Sequence, residues 1–374
     1  MAKRFLLVTE EWAGSGHRMA ALAVLEALRE KQGVESARLV GGLQTACPAL
    51  GGLSRFFYGN MLRYGQPLWQ RLYAQEKMWS AILKKPLAAW LSGRFIEAVL
   101  ASEKPEVVVA THAYCLSALA VAKQRMGEAF HLVSMPTDFC VNRFWVHPAI
   151  DTYIVAHEQV AERLQRTHGV QPERIRIHGI PVRRAFARAV EAEKNYWKQE
   201  RGLSPRLFTV LIAGGEGGYG RMDKVVAKLM ECEEALQIVV ITGKNEALRR
   251  KLEAEWRGRE TPHPLYIRGY EPDLWKWLGA ADVYVTKPGG LSCSEALTMR
   301  TPLILYQPLP GQERHNARFL LKHQAAVLAD KPQGIVETIR QMKQGDLREQ
   351  IMRGMDRLRK PSAAEHTAEF LVRL

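Results

Sequence analysis

Residues 287–316 read KPGGLSCSEALTMRTPLILYQPLPGQERHN. In this order we expect the end of a strand, a glycine turn, a helix, a buried strand, and a polar loop that opens another helix. The preceding strand is predicted over residues 282–286 and the following one over residues 302–306. Strands joined by a crossover helix run parallel in one sheet, so we expect both strands to end at the same edge.

The glycine turn and the helix after it have the features of a phosphate-binding site. Gly289 and Gly290 carry no Cβ atom, so the backbone can turn sharply and approach a ligand closely. Ser292 lies at the predicted helix start, where free backbone amides attract phosphate oxygens, and Lys287 can add positive charge. Glu295 lies further into the helix, where its carboxylate can accept two ribose hydroxyls.

Three more polar side chains follow the next strand: Gln312, Glu313 and Asn316. Open α/β sheets bind their ligands at the carboxyl edge, where these residues are expected. Each part alone has an ordinary structural explanation, such as a turn, a solvated helix residue or a helix cap. Their combination at short spacing on one β-α-β-α unit predicts a pocket for a nucleoside diphosphate.

The first half of the chain alternates strands and helices. Apolar runs predict strands over residues 4–9, 106–110, 130–134, 151–156 and 174–177. Helical periodicity covers residues 17–30, and a charged helix is expected over residues 183–201. Strands separated by helices imply a parallel sheet that is covered on both faces.

The pattern restarts after a break at residues 202–205. A strand at residues 207–213 leads into the glycine-rich turn 214–220, and further strands are predicted over residues 237–242, 265–268, 282–286 and 303–306. The chain is therefore expected to be an α/β protein with two Rossmann-like domains facing each other across a cleft. We place the first domain at residues 1–200, the second at 201–360, and a final helix at 361–374 that crosses back to the first.

Composition sets limits on the class of protein. With 374 residues, 47% hydrophobic and 25% charged, the chain is typical of a globular protein of two domains. The apolar run near the N-terminus is followed at once by acids, which indicates a first strand and not a signal peptide. Five scattered cysteines without a C-x-x-C pair favour a reducing cytoplasm, and neither a disulfide framework nor a zinc site is expected.

The net charge of +14 suggests a polyanionic partner, either nucleic acid or anionic lipid. No nucleic-acid-binding signature is present, so a nucleic-acid partner is not expected. Residues 45–100 hold seven basic side chains, two acidic ones and nine aromatic ones. This mixture favours peripheral contact with an anionic membrane, on the cytoplasmic face, over a helical region whose aromatic residues are core. The residues assigned to this contact are Phe56, Phe57, Arg63, Trp69, Trp79, Lys84 and Lys85.

A first glycine loop follows the first strand and reads EEWAGSGH over residues 10–17. The amides of Gly14 and Gly16 can face an acceptor substrate. The loop lacks a third glycine at dinucleotide spacing, and no acidic residue ends a second strand, which disfavours a nicotinamide or flavin enzyme. His17 closes the loop where a general base would be needed, although an isolated histidine is often only a helix cap.

Several motifs together resemble one known family. They are GSGH at 14–17, TDF at 137–139, HGIPV at 178–182, the glycine loop at 214–220, ITGKN at 241–245, and KPGGLSxSEAL followed by PxPGQExxN at 287–316. Over nearly the whole chain, this order is similar to the monogalactosyldiacylglycerol synthase and processive diacylglycerol glucosyltransferase family. The C-terminal motifs resemble more loosely the lipid-linked N-acetylglucosamine transferase of peptidoglycan synthesis.

The resemblance implies a GT-B fold and an inverting, metal-independent transfer of a hexose from a UDP-sugar to diacylglycerol, with glucose favoured over galactose. No cofactor is implied, because the UDP-sugar is a substrate. His17 would be the base, with Asp138 as the second candidate or as the group that orients it. The residues expected to bind the UDP-sugar are Gly215, Gly217, Gly218, Lys244, Asn245, Tyr270, Lys287, Gly289, Gly290, Ser292, Glu295, Gln312, Glu313 and Asn316.

Two departures from the family pattern lie on the acceptor side. The family usually carries a histidine a few residues after TDF, where this chain has Asn142, and the residues after Thr111-His112 are Ala-Tyr-Cys and not Pro-Phe. Acceptor identity therefore stays open at this stage. So do the alternatives of a transferase of N-acetylglucosamine to another lipid, a UDP-sugar 2-epimerase, and a non-catalytic nucleotide-sugar sensor.

Overall fold

The computed structural model describes residues 2–10, 15–47 and 88–374. These form two compact units, one made of Met1–Arg184 together with Ser362–Leu374 and one made of Ala185–Pro361. Among the described residues, no helix combines the length and the hydropathy needed to cross a bilayer.

The first unit contains a six-stranded, all-parallel sheet in the order β2-β1-β3-β4-β5-β6. Its strands are β1 Lys3–Thr9, β2 Val34–Gly41, β3 Val107–Ala110, β4 His131–Ser134, β5 Thr152–Val155 and β6 Ile175–Ile177. Strands β3 and β5 are buried along their whole length, and β3 is a continuous apolar run, as expected for a parallel sheet covered on both faces. All five strands predicted in this half of the chain are present, with ends shifted by at most one residue.

Helices cover both faces of the first sheet. They are Ser15–Arg29, Gly42–Ala46, residues 88–95 continuing through Ile96–Leu100 to Ala101–Glu103, Ala113–Arg125, Glu158–His168 and Ala363–Arg373, with short 3-10 turns at Arg143–Trp145 and Pro172–Arg174. The C-terminal helix Ala363–Arg373 packs Ala368 and Leu371 into the same core as Leu25 and Leu28. Lys31 ties it further through an ion pair with Glu369 at 2.8 Å.

The second unit repeats the architecture, with a parallel sheet in the order β12-β11-β10-β7-β8-β9. Its strands are β7 Phe208–Ala213, β8 Leu236–Ile241, β9 Leu265–Arg268, β10 Val283–Thr286, β11 Leu303–Tyr306 and β12 Ala326–Ala329. Strand β12 was not predicted from the sequence. A run of four residues with two half-buried positions is too short for its hydrophobic periodicity to identify a strand.

Helices of the second unit are Lys194–Glu200, Met222–Met230, Glu246–Trp256, Leu274–Ala280, Gly290–Met299, Gln312–Lys322, Pro332–Gln344 and Leu347–Leu358; a short helix, Arg184–Ala189, begins at its first boundary. The predicted single helix over 183–201 is therefore two helices. The second of them is held to the second unit, because Lys194 and Lys198 both donate to Asp282, at 3.0 and 2.8 Å. This attachment places the division between the units after Arg184, earlier than residue 200.

Each sheet has one point where the winding of the chain reverses. In the first sheet, β2 lies on one side of β1 and β3 on the other; in the second, β8 lies on one side of β7 and β10 on the other. Helices that leave two adjacent strands toward opposite faces open a crevice at the carboxyl ends, and ligands of open α/β sheets bind there. The β1/β3 and β7/β10 boundaries are therefore the places where each unit can bind a ligand.

Candidate functional site

Lys287 and Glu313 form the charged centre of the second unit's candidate site. Lys287 follows β10 and Glu313 lies in the first turn of helix Gln312–Lys322, and the two side chains form an ion pair that is 19% and 13% exposed. Burial disfavours the charge on Lys287, but the Glu313 carboxylate more than offsets this, so the pKa of Lys287 lies above its usual value. Glu313 also accepts from the backbone amide of Leu309 at 2.9 Å, which ties the loop after β11 to the pair.

The turn after β10 leaves open space beside this lysine. Gly289 is the N-cap of helix Gly290–Met299 and has φ −68°, a conformation open to any residue. A methyl group added at Gly289 would lie 3.8 Å from Lys287 Nζ and 3.9 Å from Ser292 Oγ. The glycine is therefore not required by backbone strain. Its effect is to keep clear the space between a cation, a hydroxyl and the first amides of a ten-residue helix.

Three predicted polar residues of this region differ in their surroundings. Asn316 is fully buried, and its Nδ2 donates to the Pro288 carbonyl at 3.1 Å, so it anchors the turn after β10. Glu295 is 7% exposed and lies close enough to Tyr284 to act on it electrostatically. Burial, and to a lesser extent the Glu295 charge, raises the pKa of Tyr284. Gln312 is the half-buried first residue of its helix.

The glycine loop after β7 folds tightly against the same lysine. Amide-to-carbonyl hydrogen bonds join Gly218 to Gly215 at 3.0 Å and Tyr219 to Gly214 at 3.1 Å. Gly218 requires glycine, because its φ is +61° and an added methyl group would lie 2.5 Å from the Thr242 carbonyl oxygen. The Tyr219 ring centroid lies 5.9 Å from Lys287 Nζ, so Tyr219 is part of the site, although only the glycines of its loop were predicted to be.

Gly215 and Gly217 are constrained in different ways. Gly215 has φ +72°, and a methyl group there would be 3.4 Å from Lys287 Cε; at Gly217 it would be 2.4 Å from the Tyr219 ring. Both glycines therefore let the loop approach neighbouring side chains closely, which is the role that such residues play beside a phosphate.

The segment after β8 completes this edge of the second sheet. Asn245 caps helix Glu246–Trp256 by accepting from the Leu248 amide at 3.0 Å, and its Nδ2 donates to the Gly217 carbonyl at 3.4 Å. Lys244 forms an ion pair with Glu216 and places its Nζ 5.6 Å from the Tyr270 ring centroid. Tyr270 is 51% exposed, which leaves one face of an aromatic ring available to a planar ligand.

In the first unit, His17 lies at the β1/β3 switch point and contacts residues that follow two neighbouring strands, β3 and β4. It is the third residue of helix Ser15–Arg29, and its Nδ1 is 2.7 Å from Thr137 Oγ1. Its ring packs edge-on against His112, with centroids 5.0 Å apart. A further hydrogen bond connects the ends of β1 and β3: the Thr111 hydroxyl donates to Thr9 Oγ1 at 2.8 Å.

Burial sets the charge of both histidines. Burial lowers the pKa of His17, while the Asp138 charge and the Thr111 backbone act in the opposite direction. The pKa of His112 is well below its usual value, first because of burial and then because of His17. Both rings are therefore neutral near pH 7, and the Asp138 carboxylate favours the imidazolium that would form if His17 accepted a proton.

A buried acid and thiol lie at the end of the same strands, and neither was predicted. Glu10 directly follows β1, and its Oε1 accepts from the Cys115 thiol at 3.1 Å. Burial and the Glu10 carboxylate raise the pKa of Cys115 well above its usual value, so the thiol stays protonated. Gly42 is required beside them, because a methyl group would lie 2.3 Å from Cys115 Sγ. The available signal was positional: Glu10 and Thr111 come directly after predicted strands, and His112 follows Thr111.

Both departures from the family pattern have local structural explanations. Asn142 is the N-cap of the turn Arg143–Trp145, and its Oδ1 accepts from the Phe144 amide at 3.1 Å. Ala113 is the first residue of helix Ala113–Arg125, with His112 as the N-cap. Proline is well tolerated at that position, so alanine and proline are equivalent starts for this helix.

Most of the predicted acceptor and membrane residues lie outside the described residues: Gly14, Phe56, Phe57, Arg63, Trp69, Trp79, Lys84 and Lys85. Gly16 is described, in the first turn of helix Ser15–Arg29. Of the aromatic residues at 88–100, Phe95 is core, whereas Trp90 is 43% exposed with the Arg94 guanidinium 6.0 Å from its ring.

Comparison with known proteins gives matches over both units. Residues 17–182 match the family model of monogalactosyldiacylglycerol (MGDG) synthase, and residues 209–367 match the glycosyltransferase family 28 C-terminal domain. The processive diacylglycerol beta-glucosyltransferase of Bacillus cereus (strain AH187) is 27% identical over 374 residues, which cover 99% of this chain and 93% of the relative.

Solved structures of the same fold cover the whole chain at low identity. MurG of Acinetobacter baumannii aligns with a TM-score of 0.64 and 14% identity over 100% of both chains. The UDP-GlcNAc 2-epimerase of Neisseria meningitidis, bound to UDP-GlcNAc, aligns with a TM-score of 0.64 and 13% identity over 99% of this chain and 100% of its own. The predicted α/β fold class of the GT-B type is confirmed, and so is the predicted family resemblance. The chain is therefore similar to the monogalactosyldiacylglycerol synthase family over residues 17–182 and to the glycosyltransferase family 28 C-terminal domain over residues 209–367.

Proposed function

We propose that this protein transfers a hexose from a UDP-sugar to diacylglycerol with inversion at the anomeric carbon, and that glucose is preferred over galactose. The two family models and the B. cereus relative support a glycosyltransferase that acts on diacylglycerol. The observation that carries the donor part is the cationic Lys287, held by Glu313 beside the first turn of helix Gly290–Met299 at the β7/β10 switch point. A cation and free amides at this place suit a diphosphate.

The reaction is a direct displacement. The oxygen of the lipid hydroxyl attacks the anomeric carbon, the bond from that carbon to the phosphate oxygen breaks, and UDP leaves with the electron pair. His17 takes the hydroxyl proton, because its imidazole is neutral near pH 7, and Asp138 stabilises the resulting imidazolium. Product and UDP are then released, and His17 returns its proton to solvent.

The donor is held by the second unit. Lys287, the amides at Gly290 and Ser292, and the glycine loop stabilise the negative charge that develops on the leaving diphosphate. The Gly289 amide donates to the Lys287 carbonyl at 2.8 Å, so Gly289 contributes through its lack of a side chain. Glu295 binds the ribose and Tyr270 packs on uracil, with Lys244 and Asn245 nearby. Gln312 and Glu313 bind the sugar hydroxyls, since the Glu313 carboxylate can accept further hydrogen bonds beside those from Lys287 and Leu309. Asn316 supports this site because its side-chain amide donates a hydrogen bond to the Pro288 carbonyl. No metal or other cofactor is required for these steps.

The acceptor is reached at an anionic membrane surface, where the basic, aromatic residues of the 45–100 region would contact lipid on the cytoplasmic face. The proposal is tested by measuring UDP release from UDP-glucose and UDP-galactose, each with and without diacylglycerol in anionic vesicles. We expect release only when lipid is present and faster release from UDP-glucose. Release without lipid, or conversion of UDP-GlcNAc to its 2-epimer, would contradict the proposal and support hydrolysis or epimerisation instead.

Replacing Glu295 with alanine tests the ribose assignment. A hydrogen bond to a charged group contributes about 1.5–3 kcal/mol, so we expect UDP affinity to fall about 10- to 100-fold in calorimetry. Wild-type protein should also prefer UDP over 2′-deoxy-UDP, and the variant should lose this preference. Glu337→Ala, on the exposed face of helix Pro332–Gln344, is the matched control. Equal preference for both nucleotides in the wild type would remove Glu295 from the ribose site.

A further inference from the structure

Thr137 makes the shortest described side-chain contact of the base His17. It lies in the segment after β4, is 4% exposed, and places Oγ1 2.7 Å from His17 Nδ1, although the two residues are 120 positions apart. From the sequence motif TDF, a catalytic role is predicted for Asp138 and none for the threonine. The contact occupies one of the two nitrogens of the imidazole that the proposed reaction needs.

A neutral imidazole carries one hydrogen, on either Nδ1 or Nε2, and the hydrogen bond at one nitrogen decides the state of the other. If Nδ1–H donates to Thr137 Oγ1, then Nε2 has a lone pair that can accept a proton. In the opposite tautomer, Thr137 would donate to Nδ1, Nε2 would carry the hydrogen, and the ring could not act as a base through Nε2.

We propose that Thr137 is a positioning residue that holds His17 with its hydrogen on Nδ1 and so presents Nε2 to the acceptor hydroxyl. This inference rests on the proposed transferase function. The groups around the ring fit it: His112, after β3, packs edge-on and limits rotation, while Asp138 favours the imidazolium, in which Nδ1–H still donates to Thr137. A hydrogen bond to the Thr111 backbone, also after β3, raises the pKa of His17, as the Asp138 charge does. Two chain segments, after β3 and after β4, thus set one ring orientation.

The tautomer can be measured directly by nitrogen-15 NMR of histidine-labelled protein, which distinguishes a protonated from an unprotonated ring nitrogen. For wild-type protein near pH 7.5 we expect His17 to show a protonated Nδ1 and an unprotonated Nε2. Thr137→Val should lose this preference, and Thr137→Ser should keep it because the hydroxyl remains. A protonated Nε2 in the wild type would overturn the proposal, whether or not the protein is a transferase.

Kinetics test the consequence for catalysis. A small misplacement of a catalytic group can cost about 100-fold in rate, so we expect Thr137→Val to lower kcat about 10- to 100-fold with little change in the KM for the UDP-sugar. The acid limb of its pH–rate profile should also move, because the ring loses the partner that selects Nδ1–H. Thr137→Ser should restore most of kcat.

Thr152→Val is the matched control. Thr152 Oγ1 makes a hydrogen bond of 2.9 Å to His131 Nε2 in the same unit, but on β5 and without contact to His17. The Thr152→Val substitution removes the same kind of threonine–histidine hydrogen bond. Its effect on kcat therefore measures the structural cost of losing such a bond away from His17. Equal kcat losses in Thr137→Val and Thr152→Val would overturn the positioning role. An inactive wild-type protein with the expected tautomer would refute the transferase function and leave the tautomer assignment standing.

Discussion

Replacement of His17 by glutamine is expected to lower kcat about 100- to 10,000-fold, the range that a positioned general base contributes. UDP affinity should stay within about 2-fold of wild type, because every residue assigned to the donor lies on the second unit. Initial rates of lipid-dependent UDP release and calorimetry with UDP measure the two quantities. A variant with wild-type kcat would exclude His17 as the base and leave Asp138 as the next candidate.

The pH dependence gives a second readout for the same residue. Burial lowers the pKa of His17 below 6.5, and its neutral form is the one that can accept a proton. Activity should therefore not depend on the charge of His17 at and above pH 7. It should fall as the pH drops through the lowered pKa of His17. The residual activity of His17→Gln should lack this acid limb. An acid limb above pH 7 in the wild type would contradict the neutral imidazole.

Replacement of Lys287 by methionine is expected to have the largest effect on both stability and donor binding. The Glu313 carboxylate would stay buried without its cation, and breaking such a pair costs about 3–5 kcal/mol of the free energy of unfolding. UDP affinity should fall as well, because the cation that faces the diphosphate is lost. Chemical denaturation and UDP calorimetry on the same preparation separate the two effects.

Two further variants make that experiment specific. The double variant Lys287→Met/Glu313→Gln should recover most of the lost stability, because no unpaired charge is left buried, but it should not recover UDP affinity. Arg300→Met is the control for removing a cation from an exposed pair, since Arg300 and Asp356 are 42% and 41% exposed, and it should cost no more than about 1 kcal/mol. Recovery of UDP binding in the double variant would show that Lys287 acts only through Glu313.

The helices and strands near both candidate sites could be predicted well from the sequence, because their signals are local. An apolar run bounded by glycine or polar residues identifies β7 and β10. The predicted and observed ends of β9 coincide, and those of β11 agree to within one residue. The helix start after β10 was predicted two residues too late: the helix begins at Gly290, not at Ser292. Glycine has a low helix propensity, so propensity alone placed the start after the glycines.

The roles of individual side chains were harder to predict from the sequence than the helices and strands. Asn245 and Asn316 were expected to face a ligand, yet the structure gives their amides hydrogen bonds to the backbone that shape the turns around it. Tyr219, Thr137 and His112 were not predicted as parts of a site. Whether a polar side chain faces a ligand or a neighbouring carbonyl depends on atoms brought from other strands, and no local pattern records them.

The residues alone were enough to establish two parallel α/β units, the glycine turns, and the polar residues that follow each strand, since these depend on periodicity and spacing along a short stretch of chain. The order of strands within each sheet required the tertiary structure. That order places β1, β3 and β4 side by side and β7 beside β10, and so brings His17 to Thr137 and the glycine loop to Lys287. Contacts between residues about 70 to 120 positions apart arise because parallel strands end at a common edge, and which ends become neighbours is decided by packing of the whole sheet.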